Sequence, residues 1–255
     1  VFTRILTRAG ERAAAAQGDV ATFKAAATQA QPVRSLASAL SVPGLGVVAE
    51  IKRRSPSVGV IDAHMDPAEQ AAAYVDGGAD AISVLTEPDF FDGSMDDLAA
   101  VRAVVDVPLL RKDFILSTAQ IWEARAGGAD AILLIVAALD QDTLEKLVGT
   151  AAHVGVEAIV ETHTADEVRR AAVAGARIIG VNNRDLATFH TDLTVAESIA
   201  RVLPRDVVTI AESGVSDVVG ARRMVRCGYD AILVGEALVR SSDPSSLVRD
   251  LKAQQ

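Results

Sequence analysis

At 255 residues the chain suits one large domain or two small ones and can bury a substantial core. Half of its residues are hydrophobic, which excludes a disordered chain. A formal charge of −9 argues against a general binder of nucleic acid or of anionic membranes, while leaving room for a small anionic ligand at a local basic cluster. The single cysteine, Cys227, excludes an internal disulfide and a thiolate metal cluster, and reads as a small packed side chain. The longest uninterrupted apolar run, Ala131 to Leu139, is too short to span a bilayer. No basic-then-apolar leader opens the chain, so the cytoplasm is the expected compartment, and a first residue other than Met leaves a processed or trimmed start open.

Residues from about 3 to 40 are Ala-rich and read as one or two helices with a connection around Gln31-Pro32. Short β-like runs then follow at Val47–Ile51, Ala81–Leu85, Pro108–Arg111, Ala131–Val136, Ala158–Glu161, Ile178–Val181, Val207–Ala211 and Ile232–Gly235. In the first of them Glu50 and Lys52 lie two apart, so a strand points both to one face, where each is costly unless paired or used. Amphipathic segments of helical length separate the runs. Asp66-Pro67, Ser117, Thr164 with Glu167 three later, and Asp243-Pro244 mark helix starts. The junctions back into the strands resemble each other. Gly78-Ala79-Asp80-Ala81-Ile82 repeats as Gly128-Ala129-Asp130-Ala131-Ile132, with looser copies at Gly175 and Gly228, each glycine a helix C-cap candidate. The copies recur about every 50 residues, two strand–helix units apart.

Eight strands, each followed by a helix, without linker composition, predict a single (β/α)8 TIM barrel over residues 1–255, of which about 1–42 form an N-terminal helical extension. A doubly wound open sheet is the runner-up. It usually has fewer strands, and no Gly-x-Gly-x-x-Gly follows any strand here.

In a barrel, chemistry gathers at the C-terminal strand ends. Those ends carry Glu50, Lys52 and Ser55 from the first strand, Lys112 from the third and Glu161 from the fifth. The sixth adds Asn182, Asn183 and Arg184, the seventh Glu212, Ser213 and Gly214, and the eighth Gly235 and Glu236. Any one of them alone reads equally as a solvated rim residue or a structural ion pair; the convergent set points to acid–base work. Gly214 and Gly235 fit a phosphate cradle, with Ser55 adding a hydroxyl, or else only make tight turns. Phe90, Phe91 and Phe114 follow the second and third strands, either as packing or as an apolar wall for a flat ring. His64, His153, His163 and His190 show no metal-ligand spacing, and His163 reads as rim.

These motifs together resemble indole-3-glycerol phosphate synthases. The resemblance runs from about residue 43 to the end and rests on Ala-Glu-Ile-Lys-Arg-Arg-Ser-Pro-Ser (49–57), Ser-Val-Leu-Thr-Glu (83–87), Phe-Phe-Asp-Gly-Ser (90–94) and Leu-Arg-Lys-Asp-Phe-Ile (110–115). It continues with Val-Glu-Thr-His (160–163), Val-Asn-Asn-Arg-Asp-Leu (181–186), Ala-Glu-Ser-Gly-Val (211–215) and Val-Gly-Glu (234–236). It implies ring closure, decarboxylation and dehydration of 1-(2-carboxyphenylamino)-1-deoxy-D-ribulose 5-phosphate, with no cofactor and no metal. By that resemblance Lys112 is the general acid, Glu161 its acid/base partner and Lys52 a second acid. Glu50 holds the two lysines or bears on the ring nitrogen, Asn182 and Arg184 orient the substrate, and Glu212 completes the polar floor. Phe91 and Phe114 flank the ring, while Ser55, Ser213, Gly214, Gly235 and Glu236 match the phosphate site. The implied partner is a phosphorylated small molecule, with neither nucleic acid nor membrane, and the expected state is a monomer with room for weak self-association. Residues 1–40 lack the Lys/Arg/Glu-rich helix expected to cover the site, Ala119 stands where Tyr is common, and Phe189-His190-Thr191-Asp192 replaces a more acidic run. Two other readings stand beside this one: a different phosphosugar-amine isomerase barrel, and a barrel that binds a phosphoester without catalysis.

Overall fold

The computed structural model of the protein describes residues 1–254. Eight parallel strands close into a barrel: β1 (Gly46–Ile51), β2 (Ala81–Leu85), β3 (Leu109–Lys112), β4 (Ala131–Ile135), β5 (Glu157–Thr162), β6 (Ile178–Asn182), β7 (Val208–Glu212) and β8 (Ala231–Val234). Each strand neighbours the next in sequence, and β1 pairs with β8 to close the ring, so no edge remains and the open sheet is excluded. Every run read from the sequence lies within a residue or two of its strand. The third begins at Leu109 because Pro108 has no N–H; it contributes its carbonyl, 3.0 Å from the Ile82 N–H.

Alternation along the strands sorts two cores. Val48, Ala81, Leu110, Ala131, Leu133, Ile159, Ile178, Ile210 and Leu233 pack inside the barrel. Their odd neighbours, Val47, Ala49, Ile82, Val84, Ile132, Val160 and Ile179, face outward under the helices. Asp66, Ser117, Thr164 and Asp243 all cap their helices through the side chain, at the four starts marked in the sequence.

The N-terminal segment holds three helices where one or two were expected: α1 (Phe2–Gly18), α2 (Val20–Ala27) and α3 (Leu36–Leu40), with Gln31-Pro32 in the connection. Leu36 and Leu40 of α3 plug the barrel at the N-terminal ends of its strands. The α3 N-terminus is tied there by Glu157, which accepts from Ser35 Oγ and the Ala37 N–H, both at 2.9 Å. The Ile5, Ala9, Ala13, Ala16 stripe of α1 packs down on the opposite end. One continuous segment closes both mouths.

The repeated strand junctions acquire a physical reason. Gly78, Gly128, Gly175 and Gly228 all take positive φ, between 81° and 91°. In three of the four copies the following Asp reaches back to an N–H at the start of the preceding strand, its first or second: Asp80 to Val47 at 2.8 Å, Asp130 to Leu109 at 2.8 Å, Asp230 to Thr209 at 2.7 Å. Asp130 also accepts from the Arg34 N–H and from Arg102, both at 2.9 Å. Asp130→Ala leaves those buried donors without a partner and is expected to cost about 3 kcal/mol in urea unfolding, with Asp130→Asn costing less. A loss below ~0.5 kcal/mol for the alanine variant would remove the capping role.

Candidate active site

The inward parity of the strands runs on past the apolar layers and delivers a layer of charge at the C-terminal mouth. Glu50, Lys52, Lys112, Glu161, Asn182 and Glu212 occupy it, and Glu50, Glu161 and Glu212 are each no more than 4% exposed. Two glycines on the same face make space for the carboxylates. A Cβ on Gly235 would lie 2.6 Å from Glu50 Oε1, and one on Gly180 would collide with Glu212 Oε1.

Lys112 stretches across the barrel to β7, where its ammonium donates to Glu212 Oε2, and lies 3.7 Å from Glu161 Oε2. Lys52 donates to Glu50 Oε1 at 2.5 Å. Of the two roles expected of Glu50, the hold on both lysines is met in part: it pairs with Lys52 and acts on Lys112 at longer range. Burial disfavours the Lys112 ammonium, yet the fields of Glu212, Glu161 and Glu50 outweigh it and hold the ammonium above its ordinary value. Burial also raises Glu50, but Lys52 and Lys112 reverse the sign and keep its carboxyl below the usual range. At Glu212 burial wins: with Glu161 and Glu50 adding repulsion against the pull of Lys112, its carboxyl is pushed up to about 7.

Above this layer the wall turns apolar. Phe91 and Phe114 stand 6.3 Å apart, and Phe2 lies 6.4 Å from Phe114. With Ile5 and Phe189 they enclose a cavity of about 140 Å³ over Lys112. Phe90 turns away, under the Arg4 guanidinium at 5.9 Å. Phe2 and Ile5 escaped the sequence reading, although their spacing continues the buried stripe of α1. Helix α1 does cover the site, without the charged composition expected of it. It is fastened by Arg12, which pairs with Glu87 at 2.9 Å, Asp89 at 3.1 Å and Asp113 at 3.2 Å.

On the side of β6 to β8 the mouth is lined by hydroxyls, glycines and an arginine. Ser213 (φ 62°) and Gly214 (φ 86°) form a left-handed turn, and a Cβ on Gly214 would lie 2.7 Å from Thr191 Cγ2. Asn183 fastens that turn, donating to the carbonyls of Glu212 at 3.0 Å and Ser213 at 3.1 Å. Ser55 is buried, 3.2 Å from Ser57 Oγ, and Arg184 Nη1 donates to Ser57 Oγ at 3.0 Å and to the Phe189 carbonyl at 3.1 Å. Asn182 Oδ1 accepts the Arg184 N–H at 3.0 Å. Glu236 stands apart. Its carboxylate pairs with Arg240 at 3.0 Å on the outer side of the chain, so its side chain is no part of the cavity wall.

The raised Glu212 has a consequence for stability. A carboxyl raised on folding stabilises the native state below its unfolded value, and that contribution is lost as pH rises through about 7. The thermal midpoint of Glu212→Gln relative to the unsubstituted protein is therefore expected to climb between pH 5 and pH 8. A difference that stays flat or shrinks over that span would show that Glu212 carries its charge without strain.

The chain matches the family model of indole-3-glycerol phosphate synthase over residues 3–251. It is 54% identical to the indole-3-glycerol phosphate synthase of Mycolicibacterium smegmatis over 229 residues, 90% of this chain and 84% of that protein. It is 52% identical to the one from Mycobacteroides abscessus over 244 residues, covering 96% and 90% of the two chains. Among solved structures, 3-hexulose-6-phosphate synthase from Salmonella typhimurium superposes with a TM-score of 0.67 at 16% identity, over 82% of this chain and 97% of that one. Thiamine phosphate pyrophosphorylase from Pyrococcus furiosus gives 0.62 at 17% identity, over 85% and 96%. At such identities these two speak for the barrel alone, whereas the family match and the close relatives decide the lineage: the chain belongs to the indole-3-glycerol phosphate synthase family.

Proposed function

We propose that this barrel converts 1-(2-carboxyphenylamino)-1-deoxy-D-ribulose 5-phosphate to indole-3-glycerol phosphate, carbon dioxide and water. The observation that carries the reading is a buried ammonium, Lys112, ringed by Glu212 and Glu161 and facing an aromatic-walled cavity with hydroxyls, glycines and Arg184 at its side. The aryl ring lies between Phe91 and Phe114, and Arg184 with Asn182 orients its carboxylate and the sugar hydroxyls. Ser55, Ser213, Gly214 and Gly235 receive the phosphate. Lys112 protonates the carbonyl oxygen as the ring carbon attacks it; its raised pKa keeps it in the donor form at neutral pH. Attack leaves an electron-deficient carbon that takes up the electrons of the departing carboxylate. Lys52 protonates the leaving hydroxyl, and Glu161 removes the last carbon-bound proton. Glu50 holds Lys52 in place, and Glu212 keeps Lys112 both placed and charged.

Among the described residues no helix is long and apolar enough to cross a membrane. The proposed working unit is a monomer that acts in the cytoplasm on an anionic, freely diffusing substrate.

Indole fluorescence appearing when the protein meets the carboxyphenylamino-deoxyribulose phosphate tests the reaction, and its absence at any pH from 6 to 9 would end this reading. Lys112→Ala is expected to lower single-turnover rate by roughly 10²–10⁴ while substrate still binds. A variant that is less stable but nearly fully active once folded would make Lys112 a structural cation. Gly214→Val is expected to raise KM by about tenfold and to weaken inhibition by inorganic phosphate, since its side chain would crowd Thr191 and the turn. An unchanged KM would take Gly214 out of the phosphate site.

A further inference from the structure

The reaction proposed above has a proton deficit. The carboxylate leaves as carbon dioxide without a proton. The carbonyl oxygen leaves as water and takes two, one when ring attack turns it into a hydroxyl and one when that hydroxyl departs. Dehydration gives back a single proton, from the carbon where the ring double bond forms. Each turnover of the ionised substrate therefore draws one proton from solvent into a site covered by Phe2 and Ile5.

Behind Glu161 the structure holds a chain of groups that leads out. The parity that points Glu161 inward also points His163 inward, one step beyond the end of β5. Glu161 Oε1 and His163 Nε2 are both buried, neither has a hydrogen-bond partner among the described residues, and they lie 3.5 Å apart. The other imidazole nitrogen, Nδ1, is 3.3 Å from Glu167 Oε2, which also accepts the His163 backbone N–H at 2.6 Å. Glu167 is the third residue of the helix Ala165–Val173, where a capping box would turn its carboxylate back to the Thr164 N–H. It reaches one residue further instead and holds the imidazole. With Nδ1–H engaged by Glu167, a bare Nε2 lone pair facing a bare carboxylate oxygen is repulsive, so one proton belongs between them, on Nε2 or on Glu161.

A second cavity, of about 480 Å³, opens on the outer side of this pair and is lined by His163, Glu167, Asp185 and Thr3. His163 thus stands between the reaction cavity and a solvent-side one, joined to the first through Glu161 and, 3.7 Å beyond it, Lys112. The groups that face the imidazole are Glu161 on its own strand, Glu167 on the following helix, Glu212 from β7 and Asp185 from the loop after β6. Burial opposes the imidazolium, but Glu167, Glu161 and Glu212 outweigh it and raise its pKa above the ordinary value.

We propose that His163 is the positioning residue for proton supply: of the two protons that Lys112 and Lys52 give up in a turnover, Glu161 recovers one from the substrate carbon, and His163 supplies the other by passing it from the Glu167 side to Glu161 Oε1, whose carboxyl then turns that O–H toward Lys112 on the Oε2 side. The inference rests on the reaction proposed above, and two measurements keep the two apart. In the empty protein, ring ¹⁵N NMR follows the His163 titration, which needs no turnover. Glu161→Gln is expected to lower the His163 pKa, and an unmoved titration would overturn the shared proton. In the fluorescence assay, turnover by the unsubstituted protein tests the reaction itself. Given that turnover, His163→Ala and His163→Asn are expected to lower kcat by about tenfold with KM unchanged, because a supply step contributes less than a direct acid does. Both should also lose the fall in kcat that the parent shows as pH rises through the His163 titration, since that fall marks loss of the imidazolium. Added imidazole should restore kcat to the alanine variant, which a merely structural side chain would not allow. Parental kcat and an unchanged pH profile in both variants would overturn the proposal.

Discussion

Three buried carboxylates meet two ammonium groups at the mouth of this barrel, and most of the architecture answers to that crowding. Lys112 alone cannot neutralise Glu50, Glu161 and Glu212, so Lys52 takes Glu50 and Glu212 keeps a strained charge that burial drives toward protonation. Gly180 and Gly235 give up their side chains so that two of the carboxylates fit between the strands. Asn183 then secures the end of β7 through its amide, holding Glu212 where Lys112 can reach it.

The same crowding resolves an awkward point about the acid. An ammonium held above its ordinary pKa is a reluctant donor in the empty site. Its reluctance comes from neighbouring negative charge, and each carboxylate that gains a proton removes part of it. Protonation of Glu212, already raised to about 7, weakens the grip on Lys112 and makes the ammonium a stronger donor. Donor strength here belongs to the cluster and its total proton count, not to the lysine alone.

The barrel was legible because two periods coincide in the sequence: alternation within the runs and a glycine-led junction between helix and strand. The charge layer was legible for the same reason, since Glu50 and Lys52 keep one parity and the other strand ends repeat it. Parity also explains two misplacements. Glu236 follows an inward Gly235 and so turns outward to Arg240, and His163 follows an inward Glu161 by two and so turns in, where a rim residue was read. What parity does not carry is distance around the ring: Lys112 finds Glu212 on the opposite strand because its four-carbon stem spans the interior. Phe2 and Ile5 could be seen as part of a helical stripe, but nothing local says which end of the barrel that stripe will cover.

The aspartates at the strand junctions bear on how such a closed ring can be assembled. Each joins a strand to the one two elements later, across sequence separations of 33, 21 and 21 residues, within β1–β2, β3–β4 and β7–β8. Loop entropy makes contacts of that span far cheaper to form than the β1–β8 seam, whose partners lie at the two ends of the barrel sequence. Three hairpin-like quarters can therefore become self-satisfied before the ring exists. The β5–β6 pair, where Arg177 stands in the aspartate's place, is tied from its other end instead, by Thr162 Oγ1 donating to the Gly180 carbonyl at 2.9 Å.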